Sequence, residues 1–309
     1  MIDNRPLISY VLTAYNSERY IKEAIECAFL QTYSPLEIIL SDDSSTDNTY
    51  SIMEEMCRSY VGPHKLSLNR NSRNLGISQH MNKAYLELAH GEIIVVAHAD
   101  DLSEPDRTEK SWLFLSEHPN ITALSFSMRA FSQNESYLSA HSVQVPEVKI
   151  YTFETGGNIP APSRCFYKRV MQTFGPLNED CPTEDELISF RALLLGYNAL
   201  LPEVMVKYRK HALSQSNPEN FNKFPLEKIL KQQDDDMAKA VALGLISQQM
   251  RVEKYEQLHK AMCVRMRYRA FIKSRKLSDL VELIRYRDVK LKRKLHYIKQ
   301  YCMFLFSKN

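Results

Sequence analysis

Glycine is scarce in this chain, with eight in 309 residues. No GxGxxG and no Walker loop can be read among them, which argues against a dinucleotide-dependent dehydrogenase and against a P-loop enzyme. A nucleotide held here must rely on acids and a metal ion rather than on a glycine cradle. The six cysteines, Cys27, Cys57, Cys165, Cys181, Cys263 and Cys302, form no CxxC pair and no metal-finger spacing. They read as free thiols in a reducing compartment. No apolar run approaches the roughly 18 to 20 residues needed to cross a bilayer. The first residues, MIDNRPLISYVL, lack a basic start followed by a small-residue cleavage site. A cytoplasmic protein is therefore expected. What is present is ordinary for a soluble protein, 44% hydrophobic and 25% charged, in a length that suits one large or two modest domains.

The net charge of +3 hides an asymmetry. Residues 251 to 309 carry 17 Lys/Arg against 5 Asp/Glu, a local +12, so the 40 and 37 of the whole chain leave 23 against 32 before them, a local −9. An acidic body with a basic tail suggests two jobs, the tail facing something anionic.

The body alternates strands and helices. LISYVLTA (residues 7 to 14) reads as a first strand. Ser17 is the expected N-cap of a helix to about Leu30, with Ile21, Ala24, Ile25 and Ala28 at helical spacing. Leu36 to Leu40 is a second strand, and Thr46 or Asp47 caps a second helix. Lys65 to Leu68 is a third strand, followed by a helix from Ser78 to Ala89 that Gly91 is expected to close. The pattern predicts a parallel, right-handed α/β sheet, whose ligand lies beyond the carboxyl ends of its strands. Thr13 to Asn16, Asp42-Asp43 and His98 to Asp101 should therefore converge.

The sharpest local signal is GEIIVVAHADD, residues 91 to 101. A buried apolar strand, Ile93 to Ala97, stops abruptly at His98, Asp100 and Asp101. Adjacent carboxylates there repel and lose hydration, and a divalent cation such as magnesium or manganese would relieve both costs. The plainer alternative is a turn in which Asp accepts from the backbone. Later, CPTEDELISFRALLLGYNALLPE places Thr183 as an N-cap, a helix to Leu195 and a stop at Gly196. Acids in that first turn suit the helix dipole, which is the plain structural reading of Glu184 and Asp185.

In order along the chain, TAYNSERYIKEAI, LQTY, SDDSSTDNT, RNLGIS, GEIIVVAHADDLSEPDR, TEDELISFR and YRKHALSQS resemble the motif series of the family 2 glycosyltransferases, inverting enzymes of GT-A fold that use nucleotide sugars. The likeness covers about residues 6 to 216. It implies a GT-A, Rossmann-like α/β fold, a mostly parallel sheet flanked by helices. It implies that Thr13, Tyr15 and Glu18 line the pocket for base and ribose, that Asp42 accepts from the ring NH of uracil or thymine, and that Arg73 approaches the nucleotide. Asp100, five residues before Pro105, is similar to the metal-binding acid of the DxD signature, with Asp101 beside it. Asp185 resembles the general base of the ED motif, and His211 the late loop residue that returns over metal and diphosphate. Mn2+ or Mg2+ is the implied cofactor. A nucleotide sugar, most simply a UDP-sugar, is the implied donor, and a glycan or lipid-linked hydroxyl the acceptor, in the setting of bacterial surface polysaccharide. The chain departs from the family at His98, where an acid is usual. An imidazole there can donate to a ribose hydroxyl or ligate manganese, or it can simply be a packed histidine.

Residues 1 to 220 are thus expected to be the catalytic domain and residues 221 to 309 a basic helical region. Its last part, 278 to 309, mixes Lys/Arg with Leu, Ile, Tyr and Phe in a pattern that can lie on an anionic membrane surface. The alternative is a helical subdomain with a solvated basic face. No nucleic-acid-binding motif accompanies the charge, so no nucleic-acid partner is expected. Two rivals stay open: a nucleotidyltransferase, which would ordinarily need a basic, glycine-rich loop where TAYNSERY stands, and an inactive scaffold, which His98 keeps in view.

Overall fold

The computed structural model describes residues 5–132, 142–179, 181, 183–211 and 225–306. The chain divides into two compact units, 1–217 and 218–309.

In the first unit, β1 (Ile8–Ala14), β2 (Leu36–Asp42), β3 (Lys65–Arg70) and β4 (Ile93–His98) are mutually parallel. After them come β5 (Leu102–Ser103), β6 (Ile121–Phe131), β7 (Lys149–Tyr151), β8 (Arg164–Tyr167) and β9 (Tyr197–Arg209). The nine strands form one mixed sheet in the order β3-β2-β1-β4-β8-β6-β9-β5, with β7 also paired to β9. Every residue of β1 and β2 is buried. Both faces of these strands are covered, so their side chains are mostly apolar, and the buried Ser9 and Glu37 are paired, Ser9 Oγ donating to Glu37 Oε1 at 2.6 Å.

The helices of this unit are α1 (Ile21–Phe29), α2 (Thr49–Ser59), α3 (Ile77–Asn82), α4 (Arg107–Glu117), α5 (Arg169–Phe174) and α6 (Asp185–Leu195). Ile21, Ala24, Ile25 and Ala28 form the buried stripe of α1, and they join Leu12, Ile38, Leu40 and Val95 in the main core. The residues linking these elements needed correction at several points. Ser17 does not cap α1. Its carbonyl accepts from the N–H groups of Tyr20 and Ile21 in a preceding turn, and its hydroxyl donates to the Tyr15 carbonyl at 3.1 Å. Asp47 does serve the start of α2, one residue outside the cap position, accepting from the Thr49 N–H at 3.0 Å. Likewise α6 begins with Glu184, not Thr183, in the cap position.

Gly91 was expected as a helix stop, and it has a different job. α3 runs into one π-helical segment, residues 83–88, and the chain already leaves it at Ala89 in an extended conformation. Gly91 lies against β1, where a β-carbon would fall 2.6 Å from the Ser9 nitrogen and 2.8 Å from the Ile8 carbonyl carbon. Its N–H donates to Ser9 Oγ at 2.8 Å, which fixes the approach. Gly91→Ala is therefore expected to destabilise the protein by about 1–3 kcal/mol through overpacking. Urea midpoints of the two proteins measure this, and equal midpoints would mean that β1 can recede.

The second unit consists of α7 (Leu226–Ala242), α8 (Gln248–Ser274), α9 (Leu277–Arg285) and α10 (Leu291–Phe306). Ser247 caps α8 by accepting from the Met250 N–H at 3.1 Å. Val264, Phe271, Leu280, Leu283, Val289 and Tyr297 make a small core of their own.

Candidate active site

Strand register assembles the site. Thr13 on β1 lies opposite Ser41 on β2 and His98 on β4, and Asp42 at the end of β2 lies opposite Arg70 at the end of β3. Four carboxyl ends thus finish at one edge, the usual place for a ligand in an open α/β sheet.

On the β1–β2 side, two loops are stitched together. Asn16, with φ of 48°, accepts from the Thr46 N–H at 2.9 Å and donates its own N–H to Ser45 Oγ at 2.9 Å. Glu18 accepts from the Asn48 N–H at 3.0 Å and from its side-chain amide at 2.9 Å. These bonds leave Tyr15 48% exposed at the rim, with Thr13 buried below. Asp43 organises the next loop by accepting from Asn71 Nδ2, Leu75 N–H and Gly76 N–H at 2.8 to 3.0 Å. Beneath it, Ser41 Oγ meets His80 Nε2 at 2.7 Å. Burial holds the His80 ring below its ordinary pKa, against the pull of Asp43 and Asp42.

Asp42 is fully buried, yet half of its carboxylate is unmet. Its Oδ2 accepts from the Ser45 N–H at 3.0 Å and faces Arg70 Nε at 3.5 Å, while Oδ1 has no hydrogen-bond partner among the described residues. Leaving a buried acceptor unmet costs about 1–3 kcal/mol, so a ligand N–H has a ready place there. The basic neighbour of Asp42 is Arg70, which also donates to the Ser45 carbonyl at 3.0 Å and stacks 4.7 Å from the Tyr50 ring. Arg73, the residue singled out in the sequence, is exposed in the following loop, and no described contact joins it to Asp42.

At the end of β4 the two adjacent carboxylates are separated by environment. The turn after His98 leads into β5, which pairs with β9 and so brings Arg209, Lys210 and His211 to Asp100 and Asp101. Asp100 Oδ2 lies 3.0 Å from His211 Nε2, and both side chains keep part of their surface open, 26% and 19%. Burial works to raise the Asp100 carboxyl, but the His211 hydrogen bond and the charges of His98 and His211 outweigh it and hold it below the usual range. Asp101 points inward, with Oδ1 accepting from the Arg209 N–H at 2.9 Å. Burial, reinforced by the charge of Asp100, pushes its carboxyl well up. The two neighbours are thus set apart, Asp100 part-exposed with its carboxyl held low and Asp101 buried with its carboxyl pushed up.

Arg209 is the clamp that sequence reasoning passed over. Its Nε donates to the Asp100 carbonyl at 2.8 Å, its Nη2 to Glu23 on α1 at 2.9 Å, and its guanidinium lies between the Tyr20 and Phe131 rings at 4.8 and 4.6 Å. Tyr20 also packs on the His211 ring, 4.9 Å between centroids. The signal was available in YRKHALSQS, where the arginine immediately precedes the residues of interest.

Asp185 is the first residue of α6. Arg164 at the start of β8 is wholly buried and donates to the Ile159 carbonyl at 2.6 Å and to the Asp185 carbonyl at 2.8 Å, fixing the first turn of α6. Its Nη1 stands 4.0 Å from Asp185 Oδ1, and the Asp185 side chain remains 43% exposed. Glu184 beside it is buried, and burial together with the Asp185 charge raises its carboxyl well above the ordinary range. An open aspartate thus stands next to a buried glutamate at the start of α6. His98 stands at the end of β4 with its Nδ1 3.8 Å from Asp101 Oδ2. Burial lowers its ring pKa against the opposing pull of Asp100 and Asp185.

The donors suit a hard cation that also binds phosphate. Among the described residues no group of three or more His, Cys, Asp or Glu is placed to hold a metal by itself. Asp100 and His211 offer one carboxylate and one imidazole side by side, and a magnesium-type ion commonly takes one or two carboxylates together with substrate phosphates and water.

Comparison with known proteins points the same way. The model of Glycosyl transferase family 2 matches residues 9–184. An uncharacterized glycosyltransferase of Haemophilus influenzae is 28% identical over 247 residues, 75% of this chain and 74% of that protein. TuaG of Bacillus subtilis, named for teichuronic acid biosynthesis, is 32% identical over 117 residues, 38% of this chain and 45% of that protein. Among solved structures, S. aureus TarS in complex with UDP superposes with a TM-score of 0.62 at 18% identity, covering 94% of this chain and 78% of that one. The mannosyltransferase PcManGT of Pyrobaculum calidifontis, in complex with GDP-Man and Mn2+, gives 0.57 at 17% identity, covering 99% and 89%. The sheet and its helices therefore have the GT-A-like fold expected from the sequence.

Proposed function

The chain belongs to glycosyl transferase family 2 and is a glycosyltransferase, and on that premise we propose that it moves a sugar from a nucleoside-diphosphate sugar, a UDP-sugar first, to a hydroxyl of a glycan or lipid-linked acceptor with inversion. The observation that carries the proposal is the pairing of Asp100 with His211 at 3.0 Å beyond the end of β4, beside the 43% exposed carboxylate of Asp185 at the start of α6.

The uracil choice rests on the unmet Oδ1 of Asp42, which can accept a ring N–H, and is supported by the UDP bound in TarS. Thr13, Tyr15 and Glu18 border the same loops, and Arg70, rather than Arg73, is the cation beside the base acceptor. Asp100 and His211 would hold Mn2+ or Mg2+, as the Mn2+ of PcManGT supports. When bound, such an ion supplies neutralising charge for the diphosphate leaving group. Asp101, engaged with the Arg209 backbone, shapes the turn rather than reaching the ion.

Transfer then follows from the residues. Asp185 accepts the proton of the acceptor hydroxyl, and the hydroxyl oxygen attacks the anomeric carbon from the face opposite the diphosphate. The bond from that carbon to the diphosphate oxygen breaks, and the configuration inverts. Arg164 keeps Asp185 in place through its main-chain carbonyl. TuaG supports a setting in polysaccharide synthesis.

A panel of UDP- and GDP-sugars incubated with Mn2+ tests the reading through slow donor hydrolysis, with water in place of the acceptor. Release of UDP from at least one UDP-sugar, abolished by a chelator, is expected. Silence across the panel, or release indifferent to the chelator, contradicts it.

A further inference from the structure

α10 has two dissimilar faces. Tyr297 is buried and Tyr301 half-buried against the core of the helical unit. At about 100° per residue, Leu291, Leu295, Ile298 and Cys302 fall within an arc of roughly 60° on a different face. That stripe is open to solvent, with Leu291 72%, Leu295 60% and Ile298 38% exposed, and Cys302 exposed as well. Lys292 and Lys299 line one side of it and Lys294 the other. Residues 291–306 hold four cations, Lys292, Arg293, Lys294 and Lys299, and no Asp or Glu. Arg287 and Lys290, both exposed, stand just ahead of the helix.

A continuous apolar stripe rimmed by cations on both sides is the makeup of a helix that lies in a lipid interface. Charge complementarity selects the occupant. An anionic leaflet presents phosphates to both rims at once and accepts the stripe at its acyl boundary, and each cation near such a surface adds to the attraction. A protein partner would need an apolar groove bordered by acids on both edges. We propose that α10 docks this protein in the plane of an anionic membrane surface, with Leu291, Leu295, Ile298 and Cys302 entering the interface and Lys292, Lys294 and Lys299 meeting lipid phosphates. Among the described residues no helix is long and apolar enough to cross a membrane. The docking goes beyond the transferase reading and holds whichever sugar is moved.

Co-sedimentation of the full chain with phosphatidylglycerol/phosphatidylcholine vesicles tests it, with pure phosphatidylcholine vesicles for comparison. The full chain should bind the anionic vesicles and leave the neutral ones at least tenfold less occupied, and high salt should release it. Leu295→Asp with Ile298→Asp, exposed positions whose replacement leaves the buried face intact, should lower anionic-vesicle binding at least tenfold with an unchanged thermal midpoint. Lys292→Glu with Lys299→Glu keeps the stripe and should cut binding too. Absence of vesicle binding by the unaltered chain overturns the proposal. So does equal binding by the Leu295/Ile298 variant. An unaltered chain that is oligomeric in gel filtration, fails to bind vesicles, and becomes monomeric in that variant would assign the face to a protein contact instead.

Discussion

Asp185→Asn should lower sugar transfer by roughly 10²- to 10⁴-fold, the range that a positioned general base contributes, while UDP binding stays within about threefold. The side chain is almost isosteric and 43% exposed, and its anchorage runs through the main-chain carbonyl that accepts from Arg164 at 2.8 Å. Replacing the carboxylate therefore removes the proton acceptor without disturbing the turn. Glu184 is not placed to take over, because its side chain is buried, and burial with its neighbour's charge disfavours the carboxylate form. Initial rates with the hydrolysed donor, alongside calorimetric UDP binding, read the two effects separately. Turnover within a few-fold of the unaltered enzyme would show that the base lies elsewhere.

The second large effect separates two acids that are neighbours in sequence. Asp100→Ala should remove about 3 kcal/mol of charge stabilisation, a loss of over 100-fold in kcat/KM with the response to manganese largely abolished. Asp101→Asn should cost only a few-fold, because burial already disfavours the charged carboxylate there and its Oδ1 can still accept from the Arg209 N–H. Manganese titrations of donor hydrolysis distinguish the pair. Equal losses in both variants would mean that Asp101 turns outward to share the ion.

Much of this arrangement was legible because strand periodicity is a strong signal. The four parallel strands and the meeting of Thr13, Asp42 and His98 at one edge follow from apolar runs that each end in polar residues. Local punctuation was read less well. Ser17 and Thr183 are good cap residues by type, but the turn at Ser17 and the placement of Glu184 at the helix start shift each helix onset downstream. Gly91 looks like a helix stop, yet its reason is the backbone of β1 2.6 Å from where its side chain would be. Arg70, Arg164 and Arg209 were missed for a common reason. Each acts on carbonyls and carboxylates brought near by tertiary pairing, 25 positions away for Arg70 with Ser45 and 186 for Arg209 with Glu23. Arg164 with its Asp185 carbonyl is 21 away. No window of sequence displays such contacts.

The resemblance to the family supplied roles, and the structure supplies the physical sorting within them. It separates Asp100 from Asp101 by exposure and hydrogen bonding, sets Arg70 beside Asp42, and places His98 Nδ1 3.8 Å from Asp101 Oδ2.

Calorimetric titration of UDP, with and without Mn2+, into the unaltered enzyme, Asp100→Ala and Asp185→Asn tests the two-sided site most directly. Manganese-dependent binding in the unaltered enzyme and in Asp185→Asn, with its loss in Asp100→Ala, is the expected pattern. Undiminished manganese-dependent binding by Asp100→Ala would contradict it.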